Sequence, residues 1–149
     1  MSNPLIFIAS DHRGFKLKAK FVDWLEGHGF NVRDLGPQSE ARCDAQAYAQ
    51  KVAEVMRENP GAMGVLICGT GQAMSMTANR YRYIRAALVT NTTMARLARQ
   101  HNDANVLALG AGLIGEEIAF ECLETFLKTE PLGGHYAERV KQLEAMGGL

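Results

Sequence analysis

The chain has 149 residues, with 16 Lys and Arg balancing 16 Asp and Glu, 47% hydrophobic residues and only 7% aromatic. This length suits one domain with a proper core, and the zero formal net charge, free of long runs of one sign, excludes the basic surface of a nucleic-acid binder. No stretch approaches the roughly 20 apolar residues that span a bilayer, and Met1-Ser2-Asn3-Pro4 has neither the basic nor the apolar part of a secretory signal, so a cytoplasmic protein without a membrane partner is expected.

Leu5-Ile6-Phe7-Ile8-Ala9 is a continuous apolar run, which predicts a strand buried on both faces of a parallel sheet. It ends at the polar turn Ser10-Asp11-His12-Arg13-Gly14. Phe15, Leu17, Phe21, Val22, Trp24 and Leu25 are spaced as on a helix among lysines, and Gly27 and Gly29 stop it, with His28 as a C-cap residue. Phe30 to Leu35 alternates and closes with Gly36-Pro37, predicting a shorter second strand. Asp44 then caps a helix carrying Ala47, Tyr48, Val52, Val55 and Met56, which ends at Asn59-Pro60-Gly61. Met63 to Cys68 predicts a third strand, Gly69-Thr70-Gly71 a turn, and Gln72 to Asn79 a helix. Ile84 to Val89 is the fourth strand, a helix runs from Thr92 or Thr93 to about Gln100, and Ala104 to Leu109 is the fifth strand. A long helix from about Ile114 to Lys128, a break at Pro131 to Gly134 and an amphipathic helix through Val140, Leu143 and Met146 complete the chain. Strands alternating with helices imply right-handed crossovers. The expected architecture is a single α/β domain over 1–149: a three-layer α/β/α sandwich with a five-stranded parallel Rossmann-like sheet and a C-terminal helix.

Ligands of open parallel sheets sit beyond the carboxyl ends of strands. That rule selects Ser10 to Gly14, Cys68 to Gln72 and Gly110 to Gly112. In Cys68-Gly69-Thr70-Gly71, two glycines let backbone N–H groups approach an anion at a helix start. A cysteine there can have a lowered pKa and serve as base or nucleophile, or can simply be a small buried hydrophobe. The turn matches neither a P-loop nor a dinucleotide fingerprint, so no ATP, NAD or other cofactor is expected. Three cysteines without C-x-x-C spacing argue against a disulfide framework and a zinc site. Asp11-His12-Arg13 offers a carboxylate, an imidazole and a guanidinium for a sugar hydroxyl and a phosphate; the plainer alternative is a solvated turn with Asp11 as a helix cap. His101-Asn102-Asp103 reads as a polar turn before the fifth strand, with His101 either a general acid or a dipole-favoured surface residue. Arg139 is able to reach an anion or to pair with Glu138 or Glu144.

Taken together, Ser10 to Lys18, Cys68-Gly69-Thr70-Gly71, Asn79-Arg80, Ile84 to Ala87 and Arg99 to Val106 resemble the ribose-5-phosphate isomerase B family, which includes the galactose-6-phosphate isomerase subunits. The resemblance implies a metal-independent aldose–ketose isomerase of a phosphorylated sugar, working through a cis-enediolate, most simply on ribose 5-phosphate in the pentose phosphate pathway. It implies Cys68 as the base between C2 and C1 and Thr70 as the hydroxyl assisting transfer between the oxygens. Backbone N–H groups of Gly69, Thr70, Gly71, Gln72 and Ala73 would then stabilise the oxyanion. It further implies His101 for ring opening, Asp11 and Asn102 for hydroxyl positioning, and His12 and Arg139 for phosphate. Sites shared between subunits of a homodimer or homotetramer follow from the same resemblance.

The departures from the family pattern fall on the substrate grip. Gly110-Ala111-Gly112 stands where the family writes G-S-R, and His135 stands where it has a second arginine. Asp44-Ala45-Gln46 replaces D-Y-P, losing a tyrosine that lines the sugar pocket, and Ala73 replaces a glycine. Arg13, Arg42 and His135 are the candidates to compensate in phosphate binding. A tetrose or hexose phosphate substrate and a non-catalytic sugar-phosphate-binding subunit are the alternative readings.

Overall fold

The computed structural model describes residues 3–149. Its elements are β1 (Ile6–Ser10), α1 (Phe15–Gly27), β2 (Val32–Asp34), α2 (Ala45–Arg57), β3 (Met63–Cys68), α3 (Gln72–Ala78), β4 (Ala86–Leu88), α4 (Thr92–Asn102), β5 (Val106–Gly110), α5 (Glu116–Lys128) and α6 (His135–Ala145). All strand pairs are parallel, in the order β2-β1-β3-β5-β4. From β1 the chain first moves outward to β2 and then returns to the opposite side of β1 at β3. A crevice therefore opens beyond the carboxyl ends of β1 and β3, where the order reverses.

The period of two along the strands sends alternate residues into two cores. Ile6, Ile8, Val65, Ile67, Leu107 and Leu109 pack with Phe21 and Leu25 of α1, Ala95 of α4 and Cys122, Leu123 and Phe126 of α5. Phe7, Ala9, Leu66, Cys68 and Val106 pack on the other face with Ala49, Val52 and Met56 of α2 and Met74 and Ala78 of α3. This is the expected three-layer arrangement, with α6 packed on α4. None of the helices is long and apolar enough to cross a membrane, among the described residues.

Several expected boundaries move. Ser10 belongs to β1 and is buried, because it pairs with Ile67 of β3 instead of opening the turn. The edge strands are three residues each, shorter than the alternating runs from Phe30 and Ile84 predict, because each has a neighbour on one side only. Asn79 shields that exposed margin at β4: its Oδ1 accepts from Ala86 N–H at 2.7 Å and its Nδ2 donates to Ala86 O at 2.9 Å. Asp44 occupies the N-cap position of α2 without a side-chain cap bond.

One correction bears on function. His101 and Asn102 lie in the last turn of α4, not in a turn after it. The helix runs on to Asp103, whose left-handed backbone (φ 46°) ends it, and whose carboxylate is held by Arg99 at 2.9 Å and Arg85 at 3.6 Å. Arg85 also reaches Glu144 of α6 at 3.2 Å, tying the C-terminal helix to the same corner.

Candidate active site

At the carboxyl end of β1, Asp11 N–H donates to Ile67 O of β3 at 3.1 Å, closing the first turn onto the neighbouring strand. The buried Asp11 carboxylate then accepts through Oδ1 from Arg13 N–H at 2.9 Å and Gly14 N–H at 3.1 Å. Asp11 does not cap α1, whose N-cap position is Gly14 without a side-chain bond; its carboxylate instead closes the turn before the helix and fixes the loop. Gly14 is required there: a Cβ would stand 2.5 Å from Ile67 O. His12 Nδ1 accepts from Cys43 N–H at 3.3 Å, which puts the proton of a neutral imidazole on Nε2 and makes that nitrogen the donor.

At the end of β3, Cys68 is 4% exposed and its Sγ accepts from Gly71 N–H at 3.0 Å. Gly71 takes the left-handed conformation (φ 79°), and a Cβ on it would collide with the Leu88 side chain. Gln72 N–H donates to Thr70 Oγ1 at 3.3 Å. Two N–H groups expected to face a ligand, those of Gly71 and Gln72, are therefore engaged in building the turn. Ala111 N–H to Cys68 O (2.8 Å) and Gly112 N–H to Gly69 O (2.9 Å) fasten the β5 loop beside it. Gly110 must lack a side chain, since a Cβ would lie 2.6 Å from the Thr70 carbonyl carbon. The guanidinium of Arg13 lies over Gly69 and Gly112. Asp11, His12, Arg13, Cys68, Gly69, Thr70, Gly71, Gln72 and Ala73 thus share the carboxyl edge of the sheet. Asp44 adjoins Cys43 and is exposed, while Ala45 is buried in the core beneath α2.

The remaining candidates gather elsewhere. His101 stacks face to face on Tyr136 of α6, ring centroids 4.3 Å apart and 3° from parallel, and His135 covers Tyr136 from a centroid distance of 4.2 Å. Arg139 lies 6.0 Å from the Tyr136 ring; of the two carboxylates that were its alternative to an anion, Glu138 pairs with Lys141 at 3.8 Å and Glu144 with Arg85. Because α4 ends just before β5 begins, His101 and Asn102 flank the amino edge of the sheet, and Cys68 pairs with Gly110 at the carboxyl edge. The five residues of β5 put roughly 13 Å or more between these ends. Tyr136 and Gly112 were not singled out from the sequence as contacts, because neither residue type signals what will lie on it.

A buried cysteine, a pinned Asp-His-Arg-Gly loop and a glycine turn at the switch point define an α/β protein with a candidate small-ligand site at the carboxyl edge of its sheet. The particular family follows from comparison: a ribose/galactose isomerase model matches residues 6–143, and the chain belongs to that family of aldose–ketose isomerases. It is 38% identical over 141 residues to ribose-5-phosphate isomerase B of Escherichia coli, with 95% of each chain covered. A crystal structure of a ribose 5-phosphate isomerase from Thermotoga maritima superposes with a TM-score of 0.93 at 46% identity, covering 97% of this chain and 100% of that one. Ribose-5-phosphate isomerase B from Mycoplasma genitalium with bound ribulose-5-phosphate gives 0.91 at 39% identity, covering 94% and 93%.

Proposed function

We propose that the chain interconverts ribose 5-phosphate and ribulose 5-phosphate, as a single isomerase domain, with Cys68 as the base. The observation that carries the reading is the placement of Cys68: its sulfur ends β3 at the switch point and meets a backbone N–H. Cys68, as thiolate, takes the proton from C2 of the open-chain aldose. The C2–H electron pair becomes the C1–C2 double bond of the enediolate, and the carbonyl electrons move onto O1. Thr70 Oγ1 passes a proton between O2 and O1, exchanging its 3.3 Å bond from Gln72 N–H for the substrate. The Cys68 thiol then protonates C1, the C2 carbonyl forms, and the thiolate is restored. Backbone N–H groups of Gly69, Thr70 and Ala73, joined by that of Gln72 once Thr70 turns to the substrate, stabilise the oxyanion, while that of Gly71 stays on the Cys68 sulfur. His12 and Arg139 face the phosphate in this reading, and Asp11 holds a hydroxyl.

Ring opening in this reading needs His101, and hydroxyl positioning needs Asn102, and both lie at the wrong end of their own chain for Cys68. A second copy placing its α4 end over the β1–β3 crevice resolves that separation, so we assign the working unit as a homodimer or a multiple of it. The test is turnover of ribose 5-phosphate, read as ketose, with two inactive variants mixed under exchange conditions. C68A and H101A are each expected to be inactive, and their hybrid to regain one of its two sites, so that a fully exchanged equimolar mixture reaches about a quarter of the wild-type activity. No turnover by the wild type refutes the substrate; an inactive hybrid refutes the shared site.

A further inference from the structure

Arg13 leaves the loop before α1 and rests its guanidinium on a floor made by two glycines. Gly112 N–H bonds Gly69 O at 2.9 Å, so the two residues form one surface. A Cβ on Gly69 would run into Nη1, Cζ and Nε of Arg13, and one on Gly112 would stand 2.7 Å from Nη2. The guanidinium therefore fills the volume into which a side chain at 112 would grow. Among the described residues, no carboxylate lies within ion-pair distance of Arg13. Arg13 lies over Gly69, the residue after Cys68, and follows His12, whose Nδ1 is already bonded to Cys43 N–H, so the loop after β1 carries both a fork of guanidinium donors and an imidazole Nε2–H.

We propose that Arg13 binds the phosphate of the sugar substrate, and that Arg13 and Gly112 act as a coupled pair in which position 13 supplies the cation because position 112 carries no side chain. The proposal rests on the sugar-phosphate reading above. A planar guanidinium matches two phosphate oxygens at once, and a solvated surface arginine would not need two glycines beneath it.

The test compares the wild type with R13Q, G112R and R13Q/G112R. Dissociation constants for ribose 5-phosphate and for inorganic phosphate are measured by titration calorimetry, with kcat and KM alongside. R13Q is expected to weaken both ligands on the order of ten- to a hundredfold while kcat falls no more than about threefold. Its Tm should stay unchanged, since the side chain is exposed. The double variant is expected to recover about tenfold of the loss, and G112R alone to bind no tighter than the wild type, because Arg13 occupies the space. Unchanged phosphate affinity in R13Q overturns the assignment, and a double variant no better than R13Q overturns the coupling. Ribose 5-phosphate that binds but is never converted refutes the isomerase reading instead, and the binding series still decides the role of Arg13.

Discussion

Lys18 is the test of how the site loop is braced. It sits on α1 with 2% of its side chain exposed, and its ammonium donates to both carboxylate oxygens of Asp34 and to Pro37 O, each at 2.8 Å. Asp34 Oδ1 also accepts Gly36 N–H, and Gly36 O accepts Ser10 N–H at 3.0 Å, one residue before Asp11. K18M keeps most of the apolar stem and removes the charge, leaving a carboxylate and a carbonyl without their donor. Breaking a fully buried pair costs about 3–5 kcal/mol. Asp34 is 28% exposed and regains some water, so the expected loss is about 2–4 kcal/mol, or a Tm drop on the order of 10 °C. Urea unfolding followed by Trp24 fluorescence at fixed protein concentration measures it. Adding D34N removes the stranded charge while keeping the acceptor for Gly36, so the double variant should be more stable than K18M by about 1 kcal/mol or more. A K18M loss below about 0.5 kcal/mol, or a double variant that loses the sum of both singles, refutes this account of the brace.

Gly14→Ala should cost about 1–3 kcal/mol and lower kcat/KM, because its φ of −94° suits alanine and it is the contact with Ile67, at its carbonyl and Cγ2, that resists the methyl; Gly27→Ala, with open space around it, should be neutral or slightly stabilising in the same unfolding assay. Burial pushes the Cys122 thiol from 9.0 up to about 11, so between those values the unfolded chain has released a proton that the folded chain still holds. Stability should therefore fall as pH rises through that window, by up to about 2–3 kcal/mol, and C122A should flatten that part of the slope in unfolding curves collected at successive pH values. Y136A should lower kcat/KM about two- to tenfold by uncovering His101, whereas Y136F, which keeps the stack, should retain activity.

The central strands were readable because Ile6 to Ala9, Val65 to Cys68 and Val106 to Leu109 are buried on both faces, which demands unbroken apolar runs. The same rule drew attention to Asp11 and Cys68, since strand ends in such sheets carry ligands. Lys18 was not legible: it lies among lysines that face water, and only the return of the chain through Asp34 and Pro37 gives it partners. Nor was the end of α4, where Asp103 adopts a left-handed backbone sustained by Arg85 and Arg99 from distant and adjacent turns. Arg13 illustrates a third limit. Its candidacy came from charge and neighbourhood, but the floor beneath it depends on Gly69 and Gly112, residues far apart in sequence that a loop-to-loop hydrogen bond makes adjacent.

The central claim, that Cys68 moves a proton between C2 and C1 of an aldose phosphate, is tested most directly by exchange with solvent. Ribose 5-phosphate incubated in deuterium oxide with the wild-type protein should yield ribulose 5-phosphate partly deuterated at C1, to the extent that the Cys68 S–H exchanges with solvent before it protonates C1, and, on return, ribose 5-phosphate partly deuterated at C2, both visible by proton NMR. C68S, folded to the same Tm, should leave both positions protonated over the same interval; deuterium entering at the wild-type rate in C68S would contradict the assignment.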